Sequence, residues 1–339
     1  MQVFAKSPCR VDLAGGTLDI WPLYLYHSNA VTVNFAVNLY TSCRITPRPG
    51  DAVTLRSQDQ NIEETYDSLD RLVECRRHRH TLAAQVLKYF RPEGGMVVET
   101  NSESPQGAGI SGSSSMLIST VSAFNRFCGT RHPIERVREI AQNIEAQVVK
   151  VPTGCQDYYP AMYGGVSAID LTIAGIRRSA LPVNLDELNS RFVLAYTGKP
   201  RNSGINNWEV IKLHIDGDRT VLKNFDRIAA ISHAMRGALK KGDWTETARL
   251  LREEWTHRRK NAPGITTPVI DHLVETARKH GAQAAKVCGA GGGGCVVFLC
   301  EPDAHDRVAA LIEREGAGNG VKVLPVEAAA RGVVIRTSA

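Results

Sequence analysis

The chain lacks the sequence patterns that are typical of zinc-binding, membrane-spanning or secreted proteins. Its eight cysteines are scattered and form no CxxC pair, so we expect no zinc site and thiols that stay reduced. No apolar run approaches the roughly 18 residues that a membrane helix requires. Lys6 and Arg10 interrupt the first residues before any long apolar stretch, unlike a signal peptide. We therefore expect a soluble, cytoplasmic protein with no membrane partner.

An excess of charge of one sign is also absent. The chain has 41 Lys and Arg residues against 35 Asp and Glu residues, and its net charge of +6 is spread along the sequence. The tightest basic run, Arg76 to His80, has none of the interleaved aromatic residues typical of nucleic-acid sites. We expect no nucleic-acid partner, and we interpret this run either as a solvated segment or as a contact for an anionic substrate.

The length and the order of patterns indicate the architecture. A chain of 339 residues with 43% apolar content is large enough for two compact domains. Helix and strand patterns follow one another in mixed order without an obvious repeat, which predicts an α+β fold rather than a doubly wound sheet. The polar segment 184–190 is the candidate boundary, giving domains of residues 1–185 and 186–339.

One loop carries most of the functional information. It lies between a predicted strand at 96–100 and a predicted helix at 116–127, and it is rich in glycine and serine. Glycines allow a ligand to approach the backbone closely, and the start of a helix offers unpaired N–H groups and a positive dipole end. We therefore expect a phosphate site here. Its candidate residues are Pro105, Gly107, Gly109, Ser111, Gly112, Ser113, Ser114 and Ser115.

The same loop contains the letters of a dinucleotide motif, Gly107-x-Gly109-x-x-Gly112. That motif requires an acidic residue roughly 20 positions later, at the end of a second strand. This chain has no acid in residues 127–131, and a second helix pattern follows at 134–149. The loop does not end in Lys-Ser/Thr either, so it is not a P-loop. A NAD-binding oxidoreductase stays an alternative.

Two acids and a second glycine run are further candidates. Asp157 is surrounded by Gly, Pro and aromatic residues and is either a general base or a turn or cap residue. Glu145 lies within a helix pattern, where a glutamate usually belongs to a solvated face. The run Gly289 to Gly294 has apolar flanks, which favours close approach to a ligand or to the first loop over a simple strand crossing.

Three separated segments resemble the three motifs of the GHMP kinase superfamily, in the same order. Ser7 to Asp19 resembles the N-terminal motif, Pro105 to Ser115 the ATP-phosphate loop, and Gly289 to Gly294 the third motif. Residues 156–165 and 196–203 are similar to the branch of D-glycero-D-manno-heptose 7-phosphate kinases. The resemblance implies an N-terminal domain like ribosomal protein S5 domain 2, a ferredoxin-like C-terminal domain, and an active site in the cleft between them.

The resemblance also implies roles for individual residues. Asp157 matches the base toward the sugar hydroxyl, and Arg10 matches the arginine that steadies the transferred phosphoryl group. Glu145, with Ser113 or Ser114, matches the ligands of Mg²⁺. The ATP-binding set adds Gly291 and Gly292 to the eight residues of the first loop. The implied substrate-binding residues are Asp19, Thr17, Gly16, Gly165 and Arg201.

The sequence departs from this branch at two places. The branch usually carries a third glycine in Ala-Gly-Gly-Gly-Thr-Asp, where this chain has Thr17, and the phosphate loop is one residue longer at Ser111. The function implied is ATP- and Mg²⁺-dependent phosphorylation of an anomeric hydroxyl, with a heptose 7-phosphate giving a 1,7-bisphosphate as first choice. A kinase for a neutral sugar such as galactose or fucose is the alternative, as is a non-catalytic sugar sensor. A homodimer is left open.

Overall fold

The structure is a computed structural model that describes residues 1–200 and 203–338, with residues 203–206 described by their backbone alone. It contains two β-sheets with helices packed against them. The strands are β1 Gln2–Ala14, β2 Val31–Arg48, β3 Val53–Ser57, β4 Ile62–Tyr66, β5 Gly95–Ser102, β6 Val166–Thr172, β7 Gly175–Leu181, β8 Phe192–Tyr196, β9 Ala282–Val287, β10 Cys295–Cys300, β11 Lys322–Leu324 and β12 Val334–Ser338.

The helices occupy the intervals between these strands. They are α1 Leu69–Glu74, α2 Thr81–Phe90, α3 Gly112–Phe127, α4 Ile134–Val149, α5 Tyr158–Tyr163, α6 Leu185–Asn189, α7 Ser203–Ile215, α8 Arg219–Lys241, α9 Trp244–Arg258, α10 Pro268–Arg278 and α11 His305–Gly316. In the part of the chain that the structure describes, no helix is long and apolar enough to cross a membrane.

The larger sheet presents the first functional segments. Its strand order is β12-β1-β2-β5-β3-β4, and the hairpin β6–β7 joins it through β2. Helix α3 packs against β1 and β2, and its residues from Ser114 to Phe124 are buried. A buried helix directly after the glycine-rich loop fixes that loop against the sheet. The expected strand, loop and helix are therefore present, although α3 begins at Gly112, four residues before the predicted start.

The smaller sheet, in the order β11-β8-β10-β9, carries the second glycine loop between β9 and β10. Helix α9 packs against β9, and its N-cap residue Asp243 accepts a hydrogen bond from the Glu246 N–H through its side chain. The two sheets with mixed helices confirm the α+β expectation. The last strand, β12, pairs with β1 and thus belongs to the larger sheet. The boundary between residues 185 and 186 stays a prediction.

Candidate active site

The predicted phosphate loop forms one wall of a cavity of about 510 Å³. Gly107 and Gly109 have φ angles of 66° and 77°, a conformation that glycine adopts without steric cost. Ser111, at the predicted extra position, also has a positive φ of 65° and directly precedes α3. Its buried hydroxyl has no hydrogen-bond partner among the described residues. An unpartnered hydroxyl beside a helix N-terminus and bare loop backbone suits an anionic ligand.

Glu145 faces this cavity from α4 and is buried, so the solvated-face interpretation is wrong for this residue. Its carboxylate accepts hydrogen bonds from the hydroxyls of Ser113, Ser114 and Tyr158, with the Ser114 bond at 2.8 Å. Burial raises the pKa of Glu145, and the three hydroxyl donors partly oppose that rise. The cluster gathers carboxylate and hydroxyl oxygens, which are ligands that Mg²⁺ prefers. These residues therefore fit a magnesium ion.

Arg10 and Asp157 form an ion pair beside the loop. The Arg10 guanidinium donates from Nε and Nη2 to Asp157 Oδ1, at 2.9 and 2.5 Å, and from Nη1 to the Gly109 carbonyl at 2.7 Å. Burial lowers the pKa of Arg10, but the charges of Asp157 and Asp12 outweigh that effect and leave it raised. Asp157 stands at the N-cap position of α5, but its side chain makes no capping hydrogen bond among the described residues. Arg10 therefore ties the phosphate loop to the candidate base.

A second, smaller cavity adjoins the first at Asp157. Only Gly154, Asp157 and Asn207 line both cavities among the described residues, and Arg10, Thr17, Asp19 and Arg258 line the smaller one. Asp157 thus stands at the junction, with its side chain 25% exposed. Both described hydrogen bonds of its carboxylate use Oδ1. The other oxygen is therefore available to a ligand that lies between the two cavities.

Comparison with known proteins decides the family. Residues 78–165 match the GHMP kinases N terminal domain, and residues 235–317 match the GHMP kinases C terminal domain. The chain belongs to the GHMP kinases. Members of this family transfer a phosphoryl group to an alcohol, so the protein is a kinase of that class. The fold agrees, because the glycine motif is followed by α3 and α4 and not by the strand of a dinucleotide-binding unit.

Individual relatives and solved structures match this GHMP kinase along almost its whole length. The D-glycero-alpha-D-manno-heptose 7-phosphate kinase of Campylobacter jejuni is 25% identical over 92% of this chain and 93% of its own. A D-glycero-D-manno-heptose 1-phosphate kinase of Bacteroides thetaiotaomicron superimposes with a TM-score of 0.79 at 23% identity, covering 99% of each chain. The Lactococcus lactis galactokinase complexed with galactose gives 0.81 at 20% identity, covering 98% and 95%.

Asp19 lies at the floor of the smaller cavity of this GHMP kinase. Its Oδ2 accepts a hydrogen bond from the Gln156 N–H at 2.9 Å, and its side chain packs so closely on Gly154 that a Cβ there would overlap the carboxylate. Burial, together with the negative charge of Asp157, raises the pKa of Asp19 to about 6. The Asp19 carboxylate therefore changes charge around pH 6, and it lines the same smaller cavity as Asp157.

A buried ionic network supports this cavity from below. Asp12 accepts from Lys286 Nζ at 2.8 Å and from the Gly289 N–H at 2.9 Å, and it lies 3.5 Å from Arg258. Glu254 completes the network with Arg258 at 3.0 Å and Lys286 at 3.3 Å. Burial would raise the pKa of Asp12, but the charges of Lys286, Arg258 and Arg10 hold that pKa well below its usual range. The network joins the N-terminal motif to the smaller sheet.

The second glycine loop packs against the phosphate loop, as the sequence suggested. A Cβ on Gly294 would lie 2.7 Å from the Ala108 carbonyl oxygen, and the Cys295 N–H donates to that oxygen at 2.7 Å. Gly291 and Gly292 contact the Ile265 backbone instead, with the Gly292 N–H donating at 2.8 Å. Among the residues of this loop, Gly289 is the glycine that lines the smaller cavity. The ATP-binding role of Gly291 and Gly292 stays a prediction.

Several predicted residues lie away from the two cavities. Ser115 is fully buried, and its hydroxyl is hydrogen-bonded to Ser7 and Thr41. Gly165 pairs its backbone with Ala329 and Ala36. The basic run 76–79 contributes no residue to either cavity, as far as the described chain shows. Arg201 lies outside the described residues. The ligand roles assigned to Ser115, Gly165 and Arg201 stay predictions.

Sequence reasoning missed Arg258, Lys286 and Asn207. Arg258 and Lys286 are buried cations, and their partners come from motifs far away along the chain. The sequence signals were weak: an Arg on a helix is usually exposed, and Lys286 stands in an apolar strand pattern where a lysine needs a buried acid. Asp12, within the N-terminal motif, was the one partner that could have been suspected. Asn207 lies just after residues 196–203, a segment that was singled out only by its resemblance to the family, and no pattern of its own marked it.

Proposed function

We propose that this GHMP kinase uses ATP and Mg²⁺ to phosphorylate the anomeric hydroxyl of a sugar, and that the sugar is a heptose 7-phosphate. The observation that carries the proposal is the position of Asp157 at the junction of two cavities, one with a phosphate loop and one with polar groups. A phosphoryl donor in the first and an acceptor in the second would meet at this carboxylate. The similarity to heptose phosphate kinases supports the choice of sugar.

The larger cavity suits a nucleoside triphosphate. On one side, the loop and the α3 N-terminus offer N–H groups and the free Ser111 hydroxyl to phosphates. Apolar side chains of Leu82, Val149, Val151 and Pro152 line the same cavity and can contact a base. A volume of about 510 Å³ is within the range of small-molecule sites. Ser113 and Glu145 would hold Mg²⁺, which supplies charge neutralisation for the phosphate oxygens.

The chain's own residues perform three tasks in the transfer. Asp157 orients the acceptor hydroxyl through Oδ2 and takes its proton as the oxygen attacks. Arg10 holds Asp157 in place through Oδ1 and presents positive charge at the junction, where negative charge builds up on the transferred group. Asp19 accepts hydrogen bonds from acceptor hydroxyls when it is ionised. The reaction requires positioning and charge stabilisation, which these buried groups supply.

A neutral sugar is the second candidate acceptor. The galactokinase likeness favours it, and so does the mixed lining of the smaller cavity, where Arg10 and Arg258 are both paired with carboxylates. The test is a coupled ADP-release assay with ATP, Mg²⁺ and a panel of sugars and sugar phosphates. ADP release that requires both Mg²⁺ and a sugar supports the proposal. Tight NAD binding by calorimetry, with no heat from MgATP, contradicts it.

A further inference from the structure

Tyr158 directly follows the candidate base Asp157 in the chain, but its hydroxyl contacts the candidate metal ligand. The residue is fully buried at the start of α5, and it lines neither cavity in the part of the chain that the structure describes. Its hydroxyl donates a hydrogen bond to Glu145 Oε2. The direction is fixed, because a tyrosine keeps its proton near neutral pH and an ionised carboxylate only accepts.

The two carboxylate oxygens of Glu145 have different partners. Oε2 accepts from the hydroxyls of Tyr158 and Ser114, the latter at 2.8 Å, whereas Oε1 accepts from Ser113. Tyr158 and Ser114 are buried, but Ser113 is exposed on the wall of the larger cavity. Two buried donors on Oε2 fix the orientation of the carboxylate. Oε1, beside the exposed Ser113 hydroxyl, is therefore the oxygen that a cation in the cavity can reach.

The start of α5 is held at two adjacent residues by two different partners. Arg10 donates to Asp157 Oδ1, from Nε at 2.9 Å, and Glu145 on α4 accepts from Tyr158. Because the two residues are neighbours in the chain, the candidate base cannot shift without moving the hydroxyl that contacts Glu145. The Tyr158 bond thus fixes the base relative to the candidate metal ligand, and phosphoryl transfer depends mainly on such positioning.

We propose that Tyr158 is a positioning residue for phosphoryl transfer, and that its hydroxyl holds Glu145 Oε2 so that Oε1 and the Ser113 hydroxyl are presented to the metal. The inference rests on the proposed function, because it assumes that Ser113 and Glu145 hold Mg²⁺. Tyr158 acts through Glu145 and contacts neither the nucleotide nor the acceptor. Loss of its hydroxyl should therefore weaken the use of the metal and leave the binding of the acceptor unchanged.

The test uses Tyr158→Phe, which removes the hydroxyl and keeps the buried ring. Calorimetry measures the affinity for a non-hydrolysable ATP analogue with Mg²⁺ and again with EDTA, and the ratio of the two is the gain from the metal. This readout requires no turnover. Losing a group that orients a metal ligand typically costs about 10–100-fold in metal affinity or activity. We expect the gain to fall about tenfold, while the affinity in EDTA and the acceptor KM stay within about twofold of wild type.

Tyr159→Phe is the matched control. Tyr159 is also buried, and its hydroxyl donates to Glu135 Oε2 at 3.3 Å. Glu135 lies in the first turn of α4, near the opposite end of that helix from Glu145, and lines neither cavity among the described residues. The control therefore loses the same kind of hydrogen bond from the neighbouring residue. It should keep the wild-type gain from Mg²⁺.

Three outcomes would overturn the inference. A wild-type gain in Tyr158→Phe would overturn it alone, and so would an equal loss in Tyr158→Phe and Tyr159→Phe, since that would indicate a structural role. If Tyr158→Phe does not fold, Ser114→Ala removes the other donor on the same Glu145 oxygen and should also reduce the gain; an unchanged gain there would overturn the role of Oε2. A wild-type enzyme that gains no affinity from Mg²⁺ would overturn the proposed metal site as well.

Discussion

Asp157 Oδ1 accepts two hydrogen bonds from Arg10, from Nε at 2.9 Å and from Nη2 at 2.5 Å. Arg10 extends from the first strand and Asp157 precedes α5, so the pair joins segments 147 residues apart. The same guanidinium also binds the Gly109 carbonyl of the phosphate loop. Asp157, Arg10 and the phosphate loop, which we propose to act as base, phosphoryl-stabilising cation and phosphate cradle, are thus joined by direct hydrogen bonds. A change in any one of them should affect the transfer step more than ligand binding.

Replacement of Asp157 tests its role as the base. We expect Asp157→Asn to lower kcat by roughly 10²–10⁴, the usual effect of losing an acid–base group, with little change in the ATP KM. Steady-state kinetics with saturating acceptor measures both constants. Asp51→Asn, at an exposed position before β3, is the matched control and should behave as wild type. Near-normal kcat in Asp157→Asn would show that this residue only shapes its turn.

The Ser113–Glu145 cluster predicts the metal dependence. Ser113→Ala and Glu145→Gln each remove or weaken an oxygen ligand of a hard cation, so both should shift the Mg²⁺ titration of activity to higher concentrations. Ser119→Ala is the matched control, because Ser119 lies on the same helix with its hydroxyl bonded to the Met116 carbonyl. Titration midpoints that remain at the wild-type value in both variants would place the metal elsewhere.

Asp19 predicts a pH dependence of acceptor use. Its pKa is raised to about 6 in the folded protein, so the folded state binds more protons than the unfolded state between about pH 4 and 6. Stability contributed by this residue therefore falls as pH rises through that window. The ionised carboxylate, which we propose accepts hydrogen bonds from the acceptor, forms over the same pH range. We expect kcat/KM for the acceptor to decrease below about pH 6.

Asp19→Asn separates these two effects. Because ionised Asp19 destabilises the fold at pH 8, the variant should be more stable there by roughly 1–3 kcal/mol, measured by urea unfolding. At pH 4 the two proteins should have similar stability. The acidic decrease in kcat/KM should disappear in the variant, at a lower overall value. A variant that is less stable at pH 8 and keeps the wild-type pH profile would contradict the assignment.

Lys286 predicts a large structural effect. It is fully buried between Asp12 and Glu254, so Lys286→Met leaves two buried carboxylates without one of their cations. Breaking a buried ion pair from one side typically costs 3–5 kcal/mol, and we expect a loss of about that size in urea unfolding. Lys279→Met, on an exposed lysine paired with Glu275, should cost well under about 1 kcal/mol. Equal stability of the two variants would refute the network's role.

The local elements near the site could be predicted from the sequence. Helix α4 has the predicted bounds because its apolar residues recur with a helical period, and β8 and β10 are continuous apolar runs. The start of α3 was missed because Gly112 and three serines have weak helix propensity and are helical here through burial. Long-range contacts could not be predicted from the periodicity of apolar residues. Arg258 and Thr17 are 241 residues apart, and nothing in either segment indicates that they are in contact.

The phosphate preference is the part of the substrate assignment that depends most on resemblance. If arginine residues hold a remote phosphate, each charge-assisted hydrogen bond contributes roughly 1.5–3 kcal/mol, and two would favour the phosphorylated sugar by on the order of 10²-fold in kcat/KM. Arg201→Ala should reduce this preference selectively. Raised salt should also weaken the preference if the contacts are exposed.

The most direct measurement compares kcat/KM for D-glycero-D-manno-heptose 7-phosphate, the unphosphorylated heptose, galactose and fucose, with ³¹P NMR of each product. We expect ADP release with all measurable acceptors only when Mg²⁺ is present, the highest kcat/KM for the heptose 7-phosphate, and a new phosphate at the anomeric carbon. Equal or better use of a neutral sugar would contradict the heptose 7-phosphate assignment. Phosphorylation at another carbon, or no ADP release with any sugar, would contradict the proposed roles of Asp157, Arg10 and the two cavities.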